Sequence, residues 1–277
     1  MSAGRRREPR PLAEAPRARL ARVRGICFDI DDTFSTEGKI RPVAYAALWR
    51  AHRAGLGLAA VTGRPAGWCD HLARMWPIDA VVGENGAFYF AHDAQARRLV
   101  RRYVQSEAER AEGRVRLERA REAVLAAVPG ARISADQPFR IADLAVDFAE
   151  DVGPLPDADI DRIVEVLEAH GATCKVSSIH VNAYFGRYDK RGMLLELARE
   201  RWGLSADAAA RSLAYVGDSP NDEPLFAAFE LSVGVANVRP MLPRMAHPPR
   251  YVTRGKGGAG FAELVRAILA ARAPNRG

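Results

Sequence analysis

Short apolar runs alternate with helical patterns at both ends of the chain. Val23 to Ile30 is a strand-like run that ends in acidic residues. A 3.6-residue pattern over about Val43 to Ala54 predicts a helix. Leu58 to Val61 is a second strand and runs into Thr62-Gly63-Arg64-Pro65. A helix around Ala66 to Met75 then leads to a third apolar run, Ala80 to Val82. The rhythm returns near the C-terminus, with a helix over about Arg191 to Trp202 and a strand over Leu213 to Val216. A short helix near Glu223 to Phe229 follows, then strands at Leu231 to Val235 and Tyr251-Val252, and a helix from Gly260 to about Ala271. Strands alternating with helices predict a parallel sheet with right-handed crossovers, so the flanks read as a doubly wound, Rossmann-like α/β core.

The middle of the chain has a different pattern. Ala87–Phe90 and Leu99–Val104 are paired strand candidates, and a highly charged helix spans about Ser106 to Val128. A strand around Leu144 to Phe148, a helix from about Asp157 to His170, and strands at Ala172–Val176 and Ile179–Phe185 complete it. This predicts an inserted, mostly antiparallel α+β cap domain. The expected division is a disordered basic tail over 1–20, core over 21–87, cap over 88–186 and core again over 187–277.

Composition changes the picture in two places. The chain has 277 residues, 48% apolar and 27% charged, enough to bury a sizeable core, and no apolar run approaches a membrane span. The N-terminal arginines are followed by no apolar stretch of a secretory signal. The net charge of +7 suggests nucleic acid, but residues 1–24 hold eight Arg and two Glu, so nearly all of the excess is local. Rich in Arg, Ala and Pro, the stretch Met1 to Arg19 reads as a solubilising extension; contact with RNA or a membrane surface is the other reading. Three scattered cysteines, Cys27, Cys69 and Cys174, form no CxxC pair and suit a reducing cytoplasm.

The candidate chemistry lies at strand ends, where open parallel sheets build their sites. Asp29 and Asp31 follow the first strand two residues apart and share a side in extended chain. One such carboxylate can attack phosphorus while the other protonates the leaving oxygen; an acidic helix-capping turn is the bland alternative. Thr62 and the backbone N–H of Gly63 can hold phosphate oxygens, although Thr-Gly is also common turn chemistry. Lys190, opening a helix after Asp189, offers a point cation. Gly217-Asp218-Ser219-Pro220-Asn221-Asp222 brings two more carboxylates to a strand end, a donor set for a hard cation such as Mg2+ or simply a capped helix start.

In this order the set resembles the haloacid dehalogenase superfamily: DxDxT at Asp29 to Thr33, the strand-end Thr62, Lys190, and GDSPND at Gly217 to Asp222. Gly83-Glu84-Asn85-Gly86-Ala87 looks like the segment leading into the cap in its Cof-type, subclass IIB branch, which includes sucrose-phosphate and mannosyl-3-phosphoglycerate phosphatases. The resemblance implies that Asp29 is the nucleophile and a metal ligand, and that Asp31 is the general acid/base, with its carbonyl on the metal. It implies that Thr62 and Lys190 hold the phosphoryl group, that Asp218 binds Mg2+, that Asp222 holds metal-bound water or Lys190, and that Asn221 reaches the phosphate. Asp32 and Phe34 stand where the family often has Gly and Leu, which removes no catalytic group. About 33 residues from Asp29 to Thr62 leave no room for an inserted domain, whereas about 128 from Thr62 to Lys190 do.

Along Ile179 to Phe185, His180, Asn182 and Tyr184 alternate with apolar residues. His180, Asn182, Arg64 and Arg140 are the candidates for meeting the rest of the substrate, beside Gly63 and Asn221 at the phosphate. The expectation is a cytoplasmic, Mg2+-dependent phosphomonoesterase acting on a small sugar phosphate or sugar-phosphate conjugate through an aspartyl-phosphate intermediate, with no membrane or specific nucleic-acid partner. A phosphomutase of the same superfamily is the alternative enzyme. A retired binding protein with a contacting Arg tail is the alternative outside catalysis.

Overall fold

The structure, a computed structural model, describes residues 8–273. In chain order the elements begin with β1 (Arg10–Pro11), α1 (Arg17–Ala21), β2 (Gly25–Phe28), α2 (Pro42–Arg53), β3 (Gly57–Val61), α3 (Ala66–Met75) and β4 (Ala80–Gly83). Next come β5 (Phe88–Asp93), β6 (Arg98–Tyr103), α4 (Glu107–Ala127), β7 (Arg132–Ile133), β8 (Asp143–Asp147), α5 (Asp157–Ala169), β9 (Thr173–Val176) and β10 (His180–Tyr184). The last are α6 (Lys190–Trp202), α7 (Ala206–Ser212), β11 (Leu213–Gly217), α8 (Glu223–Ala228), β12 (Leu231–Gly234), β13 (Tyr251–Val252) and α9 (Gly257–Arg272). The chain divides into two compact units, one of residues up to 61, 76–81 and from 194, the other of 62–75 and 82–193. Residues 62–75, 82–87 and 187–193, expected with the core, fall in the second unit.

The first unit is built on strands in the order β1-β13-β12-β11-β2-β3-β4. The pairings from β1 through to β3 are all parallel. β2, β11 and β12 are buried at every residue, as strands covered on both faces must be, which is why they read as unbroken apolar runs. α2 starts with Pro42 in its first turn and buries Ala44, Ala47, Leu48 and Ala51 along one stripe. The sheet topology reverses at β2, which has β11 on one side and β3 on the other. That is a switch point of the kind where such sheets place ligands.

The expected disordered tail needs correction from residue 8 onward. β1 pairs in parallel with β13, and Leu12 and Leu20 are buried. The arginines have partners: Arg10 and Arg19 both donate to the Tyr251 hydroxyl, at 3.0 and 3.1 Å, and Arg17 donates to the carbonyl of Ala273. Two leucines and an edge-strand pairing were enough to anchor a segment whose average composition suited disorder. Residues 1–7 lie outside the described part. Also unexpected were α7, the short strand β7 and a 3-10 stretch at Ala236–Arg244.

In the second unit the strand order is β4-β5-β6, with β5 and β6 antiparallel, and a separate antiparallel sheet runs β7-β8-β10-β9. α4 begins with a capping box in which Ser106 and Glu109 satisfy each other's backbone N–H groups. α4 and α5 bury Leu117, Val124, Ile163 and Leu167 together with Leu144, Val146, Val181 and Ala183 of the sheet. The alternation of β10 thus sends its apolar side into this cluster.

Candidate active site

β2 and β11 lie side by side in parallel register, Phe28 opposite Val216, so the residues after them emerge at the same sheet edge. The Asp29 amide still donates to the carbonyl of Val216 at 3.0 Å, which holds Asp29 at the strand end. Asp29, Asp218 and Asp222 are all buried, and each offers a carboxylate oxygen within 4.8 Å of the others. Thr33 donates to Asp218 at 2.9 Å. Asp222 accepts from the Tyr215 hydroxyl at 2.6 Å and from the backbone of Asp218 at 3.1 Å. Burial first, then the charges of Asp29 and Asp222, push the Asp218 carboxyl well above the ordinary carboxylate range.

Three buried carboxylates this close repel unless a cation or a proton stands among them. An all-oxygen donor set suits a hard divalent ion, so these residues fit the Mg2+ that the motifs imply. The Asp31 carboxylate is not one of the three clustered groups. The turn carrying Asp31 is tied down by neighbours: Asp32 has a left-handed backbone, its amide donates to the Ser35 hydroxyl, and its carbonyl accepts from Asn237 at 2.8 Å. Asn221, in the 3-10 turn after β11, accepts from the Ser219 hydroxyl at 2.7 Å. Thr33, Tyr215 and Asn237 were not singled out by role; Thr33 alone carried a signal, as the last letter of its motif.

The second unit holds the other half of the candidate set. Thr62 is fully buried, its amide donates to Val82 at 2.9 Å, and its hydroxyl accepts from the amide of Arg64. Lys190 is also buried, at the start of α6. Arg64, Arg140, His180 and Asn182, expected to meet substrate, are engaged with protein carboxylates. Arg64 binds Glu150 with both terminal nitrogens, lies 3.5 Å from Asp136 and stands over the Trp68 ring. His180 reaches Glu150 at 3.0 Å. Asn182 donates to Asp143 at 3.0 Å. Arg140 bridges Asp136, Asp143 and the carbonyl of Gly63. Nearby, Glu84 accepts the backbone N–H groups of Ala66, Ile141, Ala142 and Asp143. Burial, then the Asp143 charge, push Glu84 up to about 8. The network ties the Thr62–Met75 segment to the sheet of β8 and β10, a link that alternation along β10 could not reveal.

Residues 26–111 match the family model of the haloacid dehalogenase-like hydrolases. Over 108 residues the chain is 32% identical to the 3-deoxy-D-manno-octulosonate 8-phosphate phosphatase of Yersinia pestis, covering 39% of this chain and 51% of that protein. The chain therefore spans about half the length of the curated relative it matches. The fold resembles that of a Thermoplasma acidophilum protein (TM-score 0.67, 18% identity, 89% of this chain and 98% of that one). It also resembles the sucrose-phosphatase of Synechocystis, solved with sucrose and phosphate (TM-score 0.61, 16% identity, 89% and 98%). Residues 26–111 are thus similar in sequence to the haloacid dehalogenase-like hydrolases, and the parallel-sheet fold is similar to that of these solved structures.

Proposed function

We propose that this chain is a phosphatase that removes the phosphoryl group from a small hydroxylated metabolite by way of an aspartyl phosphate on Asp29. The observation that carries this reading is the buried trio of Asp29, Asp218 and Asp222 beside the β2–β11 switch point. A carboxylate oxygen of Asp29 attacks phosphorus as the bond from phosphorus to the ester oxygen breaks. Asp31 gives its proton to that oxygen, and the alcohol leaves. Asp31, now a carboxylate, takes a proton from water as the water attacks the phosphoenzyme. The bond between phosphorus and the Asp29 oxygen breaks, which frees inorganic phosphate and restores Asp29.

Thr62, the Gly63 amide, Asn221 and Lys190 are assigned to the phosphoryl oxygens. Asp29, Asp218, Asp222 and the Asp31 carbonyl would hold Mg2+. When bound, the ion neutralises charge on the phosphoryl group and keeps Asp29 ionised. Arg64, Arg140, His180 and Asn182 are assigned to shaping the loop around Gly63 through the carboxylates they hold. The Yersinia pestis protein is named as a phosphatase of 3-deoxy-D-manno-octulosonate 8-phosphate and the Synechocystis protein is a sucrose-phosphatase solved with sucrose and phosphate, which supports a hydroxylated substrate. Among the described residues no helix is long and apolar enough to cross a membrane, and the three thiols are unpaired. Both fit the cytoplasmic assignment made here.

The test is inorganic phosphate release from a panel of phosphorylated metabolites, with Mg2+ and with EDTA. Asn at position 29 is a poor nucleophile and a weaker ligand, so Asp29→Asn is expected to cost on the order of a thousandfold in turnover. Full activity of that variant, or of the wild type in EDTA, overturns the mechanism.

A further inference from the structure

Asn85 is a residue that the proposed reaction does not use and that the fold leaves unsatisfied. It is 2% exposed, and among the described residues neither its Nδ2 nor its Oδ1 has a hydrogen-bond partner. Buried amides are nearly always paired, because losing water without gaining a partner costs free energy. The backbone is also unusual here. Glu84, Asn85 and Gly86 are successively left-handed, with φ of 42°, 54° and 107°. Such runs persist only when surroundings dictate them, and they gather at functional sites.

The surroundings are the two phosphoryl-holding features of the second unit. On one side, the Asn85 amide N–H donates to the carbonyl of Thr62 at 3.1 Å. On the other, Gly86 lies so close to the Asp189 carbonyl and the Lys190 amide that a Cβ there would overlap backbone. The side chain faces Gly63. The space that a side chain on Gly63 would enter is bordered by Asn85 Nδ2 at 3.1 Å, Asn85 Oδ1 at 3.3 Å and Asn182 Oδ1 at 3.4 Å. Glycine at position 63 therefore lets three polar atoms come close to the Thr62–Gly63 loop.

We infer that Asn85 is a specificity-determining residue that recognises a hydroxyl on the leaving group of the substrate. This rests on the phosphatase reading above. Both ends of the amide are unmet, which selects the chemistry of the ligand. A phosphate oxygen only accepts and satisfies Nδ2 alone. An alcohol accepts from Nδ2 and donates to Oδ1, and it does so whichever way the amide is turned. The substrate class is a phosphate ester whose alcohol carries further hydroxyls near the ester oxygen.

The test is a pair of matched esters, erythritol 4-phosphate and n-butyl phosphate, assayed with Mg2+ for the ratio of their kcat/KM values. A site built to bond a hydroxyl discriminates strongly against the analogue that lacks it. The wild type is expected to favour erythritol 4-phosphate at least tenfold. Asn85→Gly keeps the left-handed backbone available and removes the amide, so the ratio should fall to within threefold of unity. Gly63→Ala places a methyl group against the Asn85 amide and should lower the ratio as well, which decides the matter if Asn85→Gly does not fold. A wild type without the preference, or folded variants that keep it, overturns the inference while leaving the phosphatase reading in place. No phosphate release from these esters or from phenyl phosphate by the wild type overturns the phosphatase reading itself.

Discussion

Arg64 and His180 both bond Glu150, and the consequence is a dependence on acid. Partial burial by itself would raise the Glu150 carboxyl, but hydrogen bonds from His180 and Arg64 and the Arg64 charge outweigh it and hold the group near 2. A depressed acid contributes stability above its unfolded value, 4.5, and loses it as pH falls toward the folded one. Chemical denaturation of the wild type should therefore weaken between about pH 4.5 and 2 more steeply than that of Glu150→Gln. Equal slopes would show that Glu150 is not ionised by its partners. Gly86 supports a second expectation at this scale. It needs a positive φ, and a Cβ would fall 2.1 Å from the Asp189 carbonyl oxygen. Gly86→Ala should destabilise by about 3 kcal/mol or more in urea titrations, since both strain and a backbone clash oppose it.

The catalytic candidates were legible residue by residue because their chemistry demands particular side chains at strand ends. The second partners were not. Nothing in the run Leu213 to Val216 says that Tyr215 will donate to Asp222, because that bond exists only once the turn after β11 has folded back. Asn85 was visible only as one letter of a motif. Its unmet amide is a property of its neighbours.

At the scale of elements, α1 shows how packing overrides composition. Five residues cannot form a stable helix alone, because nucleation costs more than so few hydrogen bonds return. α1 packs against α9, and Leu20 supplies its buried side chain. Leu20→Ala should cost about 2–4 kcal/mol and lower the midpoint of urea unfolding. An unchanged midpoint would mean that the segment adds little. The longer helices were legible because each carries its own signals: the charged run of α4 opens on a capping box, and α2 repeats its buried positions at helical spacing. The polar side of β10 was legible as a pattern, but its partners were not. Asp143 and Glu150 come from distant sequence, and only the β8–β10 pairing and the loop after β8 bring them to Asn182 and His180.

At the scale of the whole molecule, charge is concentrated where a ligand would relieve it. A cation bound among Asp29, Asp218 and Asp222 stabilises the folded chain by mass action. At about a hundred times its dissociation constant the gain is about 2.7 kcal/mol, on the order of 5 °C in Tm. Thermal unfolding with and without Mg2+ should show that rise in the wild type. Asp218→Asn should lose the rise, while its metal-free form gains because burial and the neighbouring charges disfavour an ionised carboxyl there. A wild-type Tm indifferent to Mg2+ would exclude the trio as the ion's site.

The sequence by itself determined the α/β core and named the candidate catalytic side chains. These follow from local periodicity and from the few residue types able to do phosphoryl chemistry at strand ends. Only the tertiary structure decided that residues 8–21 are anchored, that Arg64, Arg140, His180 and Asn182 are held by carboxylates, and that the amide of Asn85 is left unmet. Each of these depends on atoms far apart in the chain. Whether a polar group is satisfied or an apolar one covered is set by what packs against it.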